Sequence, residues 1–586
     1  MAAATESNLY GCHDVTALQT KTAMTKDKIF NWRFCLCCGI FISFFVNLLQ
    51  GVFTEIQEDE AYYALYGEHL AWGYYDHPPM VGLMTYLSSV LLSGALGVRF
   101  FTVIVSCLSL WVIWEIADQV RNDAKKRSPI LFFVVAFSIV MFNIYGFVTT
   151  PDASLILLSA FFLLFYQRYL SDKSWKTALL MGLMMALMVY SKYHAFLLLG
   201  LIVLSNLKLL KDGKFWVACL LALALLTPHI LWQVSHDFPS FRYHLSGRSE
   251  AFRWSYFLEY LPNQLLVFNP LTFGAVVYVL IKYRGNNAFE RGLRFILIGF
   301  FFFFWLMAFR GHVEPHWTIV GMIPVVVLVY RAALTDSKLL RYVKWGVLPS
   351  LLLVVAFRIV LLTPTASRLG FGGKEAYCRA IASVAYESPV AFQGSFQEPA
   401  LYHYYTGQPS STLRCYYDRM TQFDLWQFDR DWIGQRVVVC SPISGLSTTH
   451  RVGDASFEGF VAERFQTANR LESRLSLPAD APTLYHPGDT LHLDFFLHNT
   501  CDAPLDFRHE QLDMGLRVLF LTTNDFSYAF HKRIGVIGPH QTYEGHLTAI
   551  VGEEIQPGKN HIALGVNDRI ATFATAGSGI DIVVAP

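Results

Sequence analysis

Residues 293–309 read LRFILIGFFFFFWLMAF. The consecutive rings of Phe300–Phe304 and Trp305 leave no polar face for water in any regular backbone conformation. A large soluble protein can bury one such run as a core helix, but this run has company. Further apolar runs occupy 35–53, 97–117, 129–149, 153–170, 175–190, 194–209, 215–235, 263–281, 317–333 and 343–362. Most approach the ~20 residues that carry a helix across ~30 Å of hydrocarbon. About eleven such runs are too many for buried core helices. Across 586 residues, 54% are hydrophobic and 16% charged, well short of the charge of about 25% in soluble domains. That excludes a wholly soluble enzyme and a disordered chain. With 46 Lys+Arg against 45 Asp+Glu the net charge is +1, so nothing favours nucleic acid as a partner. The expected fold class is a mainly α polytopic membrane protein of about eleven transmembrane helices, whose partner is the lipid bilayer.

The short connections set the orientation. One set carries Lys26, Lys28 and Arg33; Arg121, Lys125, Lys126 and Arg127; Arg168, Lys173 and Lys176; Lys208, Lys211 and Lys214; Lys282, Arg284, Arg291 and Arg294; and Arg331, Lys338, Arg341 and Lys344. The alternate set carries Glu55, Glu58, Asp59, Glu60, Glu68, Asp76, Asp152, Asp237 and Glu314. Positive loops face the cytoplasm. This places the N-terminal segment 1–34 inside and residues after 363 outside, in a cytoplasmic (inner) membrane with a periplasmic C-terminal domain. The first 30 residues are polar and the first apolar run is long enough to span, so it reads as a membrane helix rather than a cleavable signal. Cys35, Cys37 and Cys38 at its start read as small apolar residues rather than metal ligands.

Past residue 363 the pattern changes. Within 364–450 a helix-like stretch, Lys374–Tyr386, mixes with short strands at Val390–Gln393 and Arg436–Cys440. In 451–586, strand-like runs at Leu491–His498, Leu516–Leu521, Ile562–Val566 and Ile580–Val584 alternate with turn signals such as Pro487-Gly488-Asp489 and Pro557-Gly558-Lys559. That spacing predicts an external mixed α/β segment followed by a β-sandwich. Cys378, Cys415, Cys440 and Cys501 lie here, where an oxidising compartment would permit a disulfide.

The first external loop, 54–96, is too long for a simple connector. It holds Glu58-Asp59-Glu60-Ala61-Tyr62-Tyr63 and then Tyr75-Asp76-His77-Pro78-Pro79. Glu58–Leu70 has helical character, and the apolar residues after Pro79 predict an amphipathic or re-entrant helix on the membrane. A solvated acidic loop would carry the same carboxylates. The cations on that side weigh the other way, because they break the orientation rule: Lys192, Arg242, Arg248, Arg253 and Arg310. An anionic group at the outer face, such as a lipid phosphate, would account for them. Asp152, after Thr149-Thr150-Pro151, reads either as a helix-capping acid or as a further site carboxylate. Glu314-Pro315-His316-Trp317 lies on the same face. Asp76, His77 and His316 are the candidates for a divalent metal, in no recognised spacing. These parts fit one reaction: cations hold a lipid-linked phosphate while a carboxylate takes the proton of an acceptor hydroxyl.

With its spaced partner Tyr75-Asp76-His77-Pro78-Pro79, the Asp59-Glu60-Ala61-Tyr62-Tyr63 stretch resembles the first-loop signature of the protein O-mannosyltransferase and aminoarabinose transferase superfamily. Thr150-Pro151-Asp152, Ser191-Lys192-Tyr193-His194 and Glu314–Trp317 fall where that superfamily has further motifs. The resemblance covers roughly 35–363. It implies a GT-C-like membrane glycosyltransferase domain and a polyprenyl-phosphate sugar donor. Asp59 then resembles the catalytic base, Glu60 its orienting neighbour and Asp152 the second-loop acid. Lys192 resembles a contact to the lipid phosphate, with Arg242 and Arg310 added from charge and side. Tyr62, Tyr63, Asp76 and His77 complete the first-loop motif. Asp76 resembles a metal-ligating carboxylate of some members, but His77 stands where they have Lys beside Glu. The implied function is inverting transfer of a monosaccharide to lipid A or another glycolipid, a glycan, or a protein Ser/Thr. A multi-span lipid or glycan flippase is the alternative. It predicts internal repeats and mid-span charges, whereas these charges sit at outer helix ends and no repeat is evident.

Overall fold

The computed structural model describes residues 11–118, 127–245, 253–285, 287–414, 418–443, 445–453, 455–508, 514–521, 526–529, 534–567 and 576–586. Arg121, Lys125, Lys126, Arg248 and Cys415 lie outside the described residues. The chain divides into two compact units, Met1–Glu55 with Tyr66–Gly372 and Ile56–Leu65 with Gly373–Pro586.

The first unit is helical, and each apolar run of the sequence falls on one helix or on two consecutive ones. Six helices are long and apolar enough to cross a membrane: Trp32–Phe53, Gly94–Asp118, Pro151–Asp172, Gly213–Ser235, Pro315–Ala333 and Ser337–Val360. Trp254–Phe268 and Pro270–Lys282 make a seventh if they count as one span bent by 98°. The chain is therefore a multi-pass membrane protein, although length and composition alone do not yield eleven full spans among the described residues. The remaining runs form Ala288–Met307 and shorter apolar helices, Pro129–Ser138, Trp175–Ser191 and His194–Ser205. The apolar helix expected after Pro79 is Met80–Leu91.

The breaks have local causes. Pro270 cannot continue the preceding helix, since it has no N–H and its ring crowds the turn before it. Asn269 absorbs the bend at φ 64° and caps the next helix by accepting from the Leu271 N–H. The run 129–149 breaks at the extended Ile139. There the Asn143 amide donates to the carbonyls of Phe137 and Ile139, at 2.6 and 2.9 Å, which satisfies backbone groups that no water reaches. Trp114, Phe132 and Tyr330 pack at the centre of the helical core. Leu352, Leu353 and Ile281 face outward, as lipid-contacting side chains do.

The second unit begins with a five-stranded sheet ordered Ser410–Leu413, Val390–Gln393, Val437–Cys440, Ala455–Ala462, Thr448–Val452. Its first three strands are parallel and its last two antiparallel. Helices Lys374–Ala385 and Gln397–Thr406 belong to this part. Two four-stranded sheets follow. One is ordered Thr542–Ile550, Thr490–Asn499, Leu471–Ser476, Ala576–Ser578; the other Phe526–Ala529, Gly515–Phe520, Gly558–Asn567, Ile580–Val584. Leu471–Ser476 and Thr490–Asn499 alternate buried and solvent-facing residues, the period-2 pattern of a sheet with one face in a core. Leu493, Leu497, Val518 and Ile562, from both sheets, share one apolar cluster, the arrangement of a β-sandwich.

Candidate active site

In the first unit a carboxylate and an ammonium meet at two helix ends. Thr150 takes the N-cap position of Pro151–Asp172, which leaves Asp152 in the first helical turn instead of capping it. Lys192 is the extended C-cap of Trp175–Ser191. Each charge is favoured by its own helix dipole, the anion at an N-terminus and the cation at a C-terminus. Lys192 Nζ donates to Asp152 Oδ2 at 2.7 Å, with the side chains 7% and 2% exposed. Removing one partner of so buried a pair leaves an uncompensated charge, at a cost of ~3–5 kcal/mol. His316 Nε2 stands 3.8 Å from the same carboxylate oxygen, and its ring meets Tyr145 edge-on. An ammonium has three N–H donors, and Asp152 takes one of them.

Asp76 is buried and accepts from the Tyr66 hydroxyl at 2.5 Å. The Tyr66 and Tyr74 rings stack 3.7 Å apart, and Tyr74 donates to the Tyr66 carbonyl at 2.8 Å. Burial pushes the Tyr74 phenol well above the ordinary tyrosine value, so its hydroxyl stays a donor. From the other side, Ser240 Oγ donates to the Tyr74 carbonyl at 2.8 Å and receives from Gln233 Nε2 at 2.8 Å. Gln233 Nε2 also donates to the Tyr193 hydroxyl, which hydrogen-bonds His229 Nε2 at 2.9 Å. His229 Nδ1 closes the chain on the Trp72 carbonyl at 2.6 Å. The loop carrying Asp76 is thus tied down at its backbone by the helices Gly213–Ser235 and Pro239–Leu245, next to the residue that follows Lys192.

The Asp59 motif belongs to the second unit. It opens the helix Glu58–Glu68, whose first turn holds Glu58, Asp59 and Glu60. Glu60 is fully buried, and its Oε2 accepts from the Gln57 N–H at 3.1 Å, the returning half of a capping box. Its side chain therefore secures the helix start. Asp59 is exposed. Tyr62 and Tyr63 are buried, and Tyr62 stacks on Phe396 with centroids 4.2 Å apart.

The other candidates divide. Arg242 is exposed and ion-paired at 2.5 Å with Asp237, five residues earlier in the chain. Arg310 is exposed in the turn after Ala288–Met307, and His77 is half-exposed. Asp76, His77 and His316 do not form a metal cradle: among the described residues no group of three or more His, Cys, Asp or Glu is placed to hold an ion. Sequence reasoning passed over Gln233 and His229, and gave Tyr66 and Tyr193 no role of their own. Their types suit buried apolar helices, and only their cross-helix hydrogen bonds distinguish them.

This assembly sits in a fold with known relatives. A structure of ArnT from Cupriavidus metallidurans bound to undecaprenyl phosphate superposes with a TM-score of 0.55 at 14% identity, covering 73% of this chain and 98% of that one. The chain has the C-type glycosyltransferase fold. The apo state of the same ArnT gives a TM-score of 0.52 at 13% identity, with 73% and 98% covered. Residues 76–232 match the family model described as dolichyl-phosphate-mannose-protein mannosyltransferase. That match takes in Asp76, Asp152, Lys192 and His229 and begins after Asp59. No curated protein matches the sequence.

Proposed function

We propose that this C-type protein is a glycosyltransferase that moves a monosaccharide from a polyprenyl-phosphate donor to an acceptor hydroxyl at the outer face of the cytoplasmic membrane. The observation that carries this reading is the buried Asp152–Lys192 pair with His316 beside it, at the ends of membrane helices. Charges at membrane depth are costly and are kept for function. The related ArnT fold holds undecaprenyl phosphate, which supports a lipid phosphate as the donor's anionic part. In this reading the acceptor oxygen attacks the anomeric carbon while the bond from that carbon to the phosphate oxygen breaks. The configuration inverts, and the phosphate leaves with the bonding electrons. Lys192 stabilises the charge that develops on the phosphate. Asp152 orients the ammonium and keeps it compensated until the donor arrives. Asp59, from the first-loop motif, accepts the acceptor's proton. The acceptor is a glycolipid such as lipid A, a glycan, or a protein Ser/Thr.

The test is release of free polyprenyl phosphate by the purified full chain, assayed with a panel of polyprenyl-phosphate sugars and acceptors. Turnover is expected with one donor class. The Asp59→Asn variant should keep the thermal stability of the parent and lose at least ~10²-fold in rate, the scale of general-base catalysis. Full activity in that variant would remove Asp59 as the base; no turnover of any donor by the parent would remove the transferase reading.

A further inference from the structure

Residues on both sides of Asp59 are gripped by the segment 374–426, far away in sequence. Before it, the Ile56 N–H donates to the Tyr405 hydroxyl at 3.1 Å. Lys374 Nζ donates to Gln57 Oε1 at 2.6 Å and to Glu58 Oε2 at 2.9 Å. After it, the Tyr62 hydroxyl accepts from the Gln422 N–H at 2.7 Å in a buried contact. The Tyr62 ring lies among Phe396, Phe423 and Trp426, with centroids 4.2, 6.0 and 6.5 Å away. Compactness agrees, since Ile56–Leu65 groups with Gly373–Pro586.

The chemistry of the grip is selective. The Lys374 side chain is 10% exposed, and a cation so withdrawn from water needs partners. It finds them on the two residues that precede Asp59. The first turn carries the carboxylates of Glu58, Asp59 and Glu60. Lys374 compensates Glu58, while Glu60 is engaged with the Gln57 N–H. Lys374 itself is held at the first position of Lys374–Ala385, behind Gly373 at φ 84°, a left-handed turn that suits glycine. Tyr62, one turn beyond Asp59, fixes the rotation of the helix about its axis, because a flat ring between other rings cannot turn without losing its packing.

Resting on the reading of Asp59 as the base, we propose that Lys374 and Tyr62 are positioning residues for the transfer reaction. The α/β segment that follows the membrane helices then sets the stance of the Asp59 carboxylate within the second unit. Neither residue touches substrate in this proposal; each acts through the first turn of Glu58–Glu68. Misplacement of a reacting group by about 1 Å costs on the order of 10²-fold in rate.

The test compares the full chain with Lys374→Met, Lys374→Arg and Tyr62→Phe. Tyr62→Phe keeps the ring and removes the hydroxyl that accepts from the Gln422 N–H. Lys374→Met should lower kcat by about 10- to 100-fold with the donor KM within twofold, and Lys374→Arg should restore most of it. Tyr62→Phe should lower kcat several-fold, again without moving KM. Amide hydrogen exchange over 56–65 should quicken in Lys374→Met and Tyr62→Phe and return toward the parent rate in Lys374→Arg. Parental kcat in both Lys374→Met and Tyr62→Phe overturns the positioning role, as does parental exchange across 56–65. If Lys374→Met does not fold, Tyr62→Phe decides by the same two readouts. Absence of turnover in the parent defeats the transferase reading alone, since the exchange rates still decide whether Lys374 and Tyr62 hold the helix start.

Discussion

At the scale of single residues, the polar side chains of the membrane unit act as a scaffold for backbone. Tyr74 shows this most directly. It is fully buried and donates to the carbonyls of Tyr66 and His69, and burial raises its phenol above the model-compound value of 10.0. A tyrosine whose folded value lies above its unfolded one contributes stability that is complete below the unfolded value and is lost as pH rises past it. We expect the melting temperature of the parent to exceed that of Tyr74→Phe at about pH 8, reflecting ~1 kcal/mol for the buried hydrogen bond. The difference should shrink between about pH 10 and pH 11. A difference that stays constant through that range would mean the phenol titrates alike in both states. The charged candidates Asp76, Asp152 and Lys192 were legible because charge is rare in apolar sequence. Tyr66, Gln233 and His229 were not, since each reads as an ordinary buried residue until its partner on another helix is known. Arg242, which breaks the charge rule, pairs with Asp237 five residues earlier.

At the scale of elements, helix contacts in the membrane unit depend on small residues. A Cβ at Gly182 would lie 2.5 Å from the Ala218 carbonyl oxygen, so Trp175–Ser191 and Gly213–Ser235 pack backbone against backbone there. Without a hydrophobic drive inside lipid, such close approach is a main source of helix association. Gly182→Val should therefore cost ~1–3 kcal/mol of overpacking, read as a clear fall in melting temperature in detergent. Gly200→Ala is the contrast, because a Cβ there meets nothing within 4 Å. It should be neutral or slightly stabilising, by ~0.5–1 kcal/mol of helix propensity. Equal losses in the two variants would argue against a special contact at Gly182. The helices themselves were plain in the sequence, since apolar run length is a local property. Where a run bends was less plain: the turn at Asn269-Pro270 and the break at Ile139 divide stretches that hydropathy reads as continuous.

At the scale of the whole molecule, composition divides the chain near residue 363, but packing divides it differently, because Ile56–Leu65 joins the residues from Gly373 onward. No local signal reveals that: the bond from Gln422 to Tyr62 joins residues 360 apart in sequence. The cysteines of the second unit are a further case in which packing decides what spacing left open. Cys378, Cys440 and Cys501 are buried as thiols. Burial pushes the Cys440 thiol up, with the Glu398 and Cys378 charges adding to the effect, and a protonated buried thiol is a poor nucleophile. The folded full chain, treated with a maleimide at neutral pH, should leave Cys378, Cys440 and Cys501 unlabelled. The same protein denatured without reductant should label all three, as peptide mass analysis would record. Labelling of any of them only after reduction would show that it is held in a disulfide, and that the second unit is stapled rather than held by its apolar core alone.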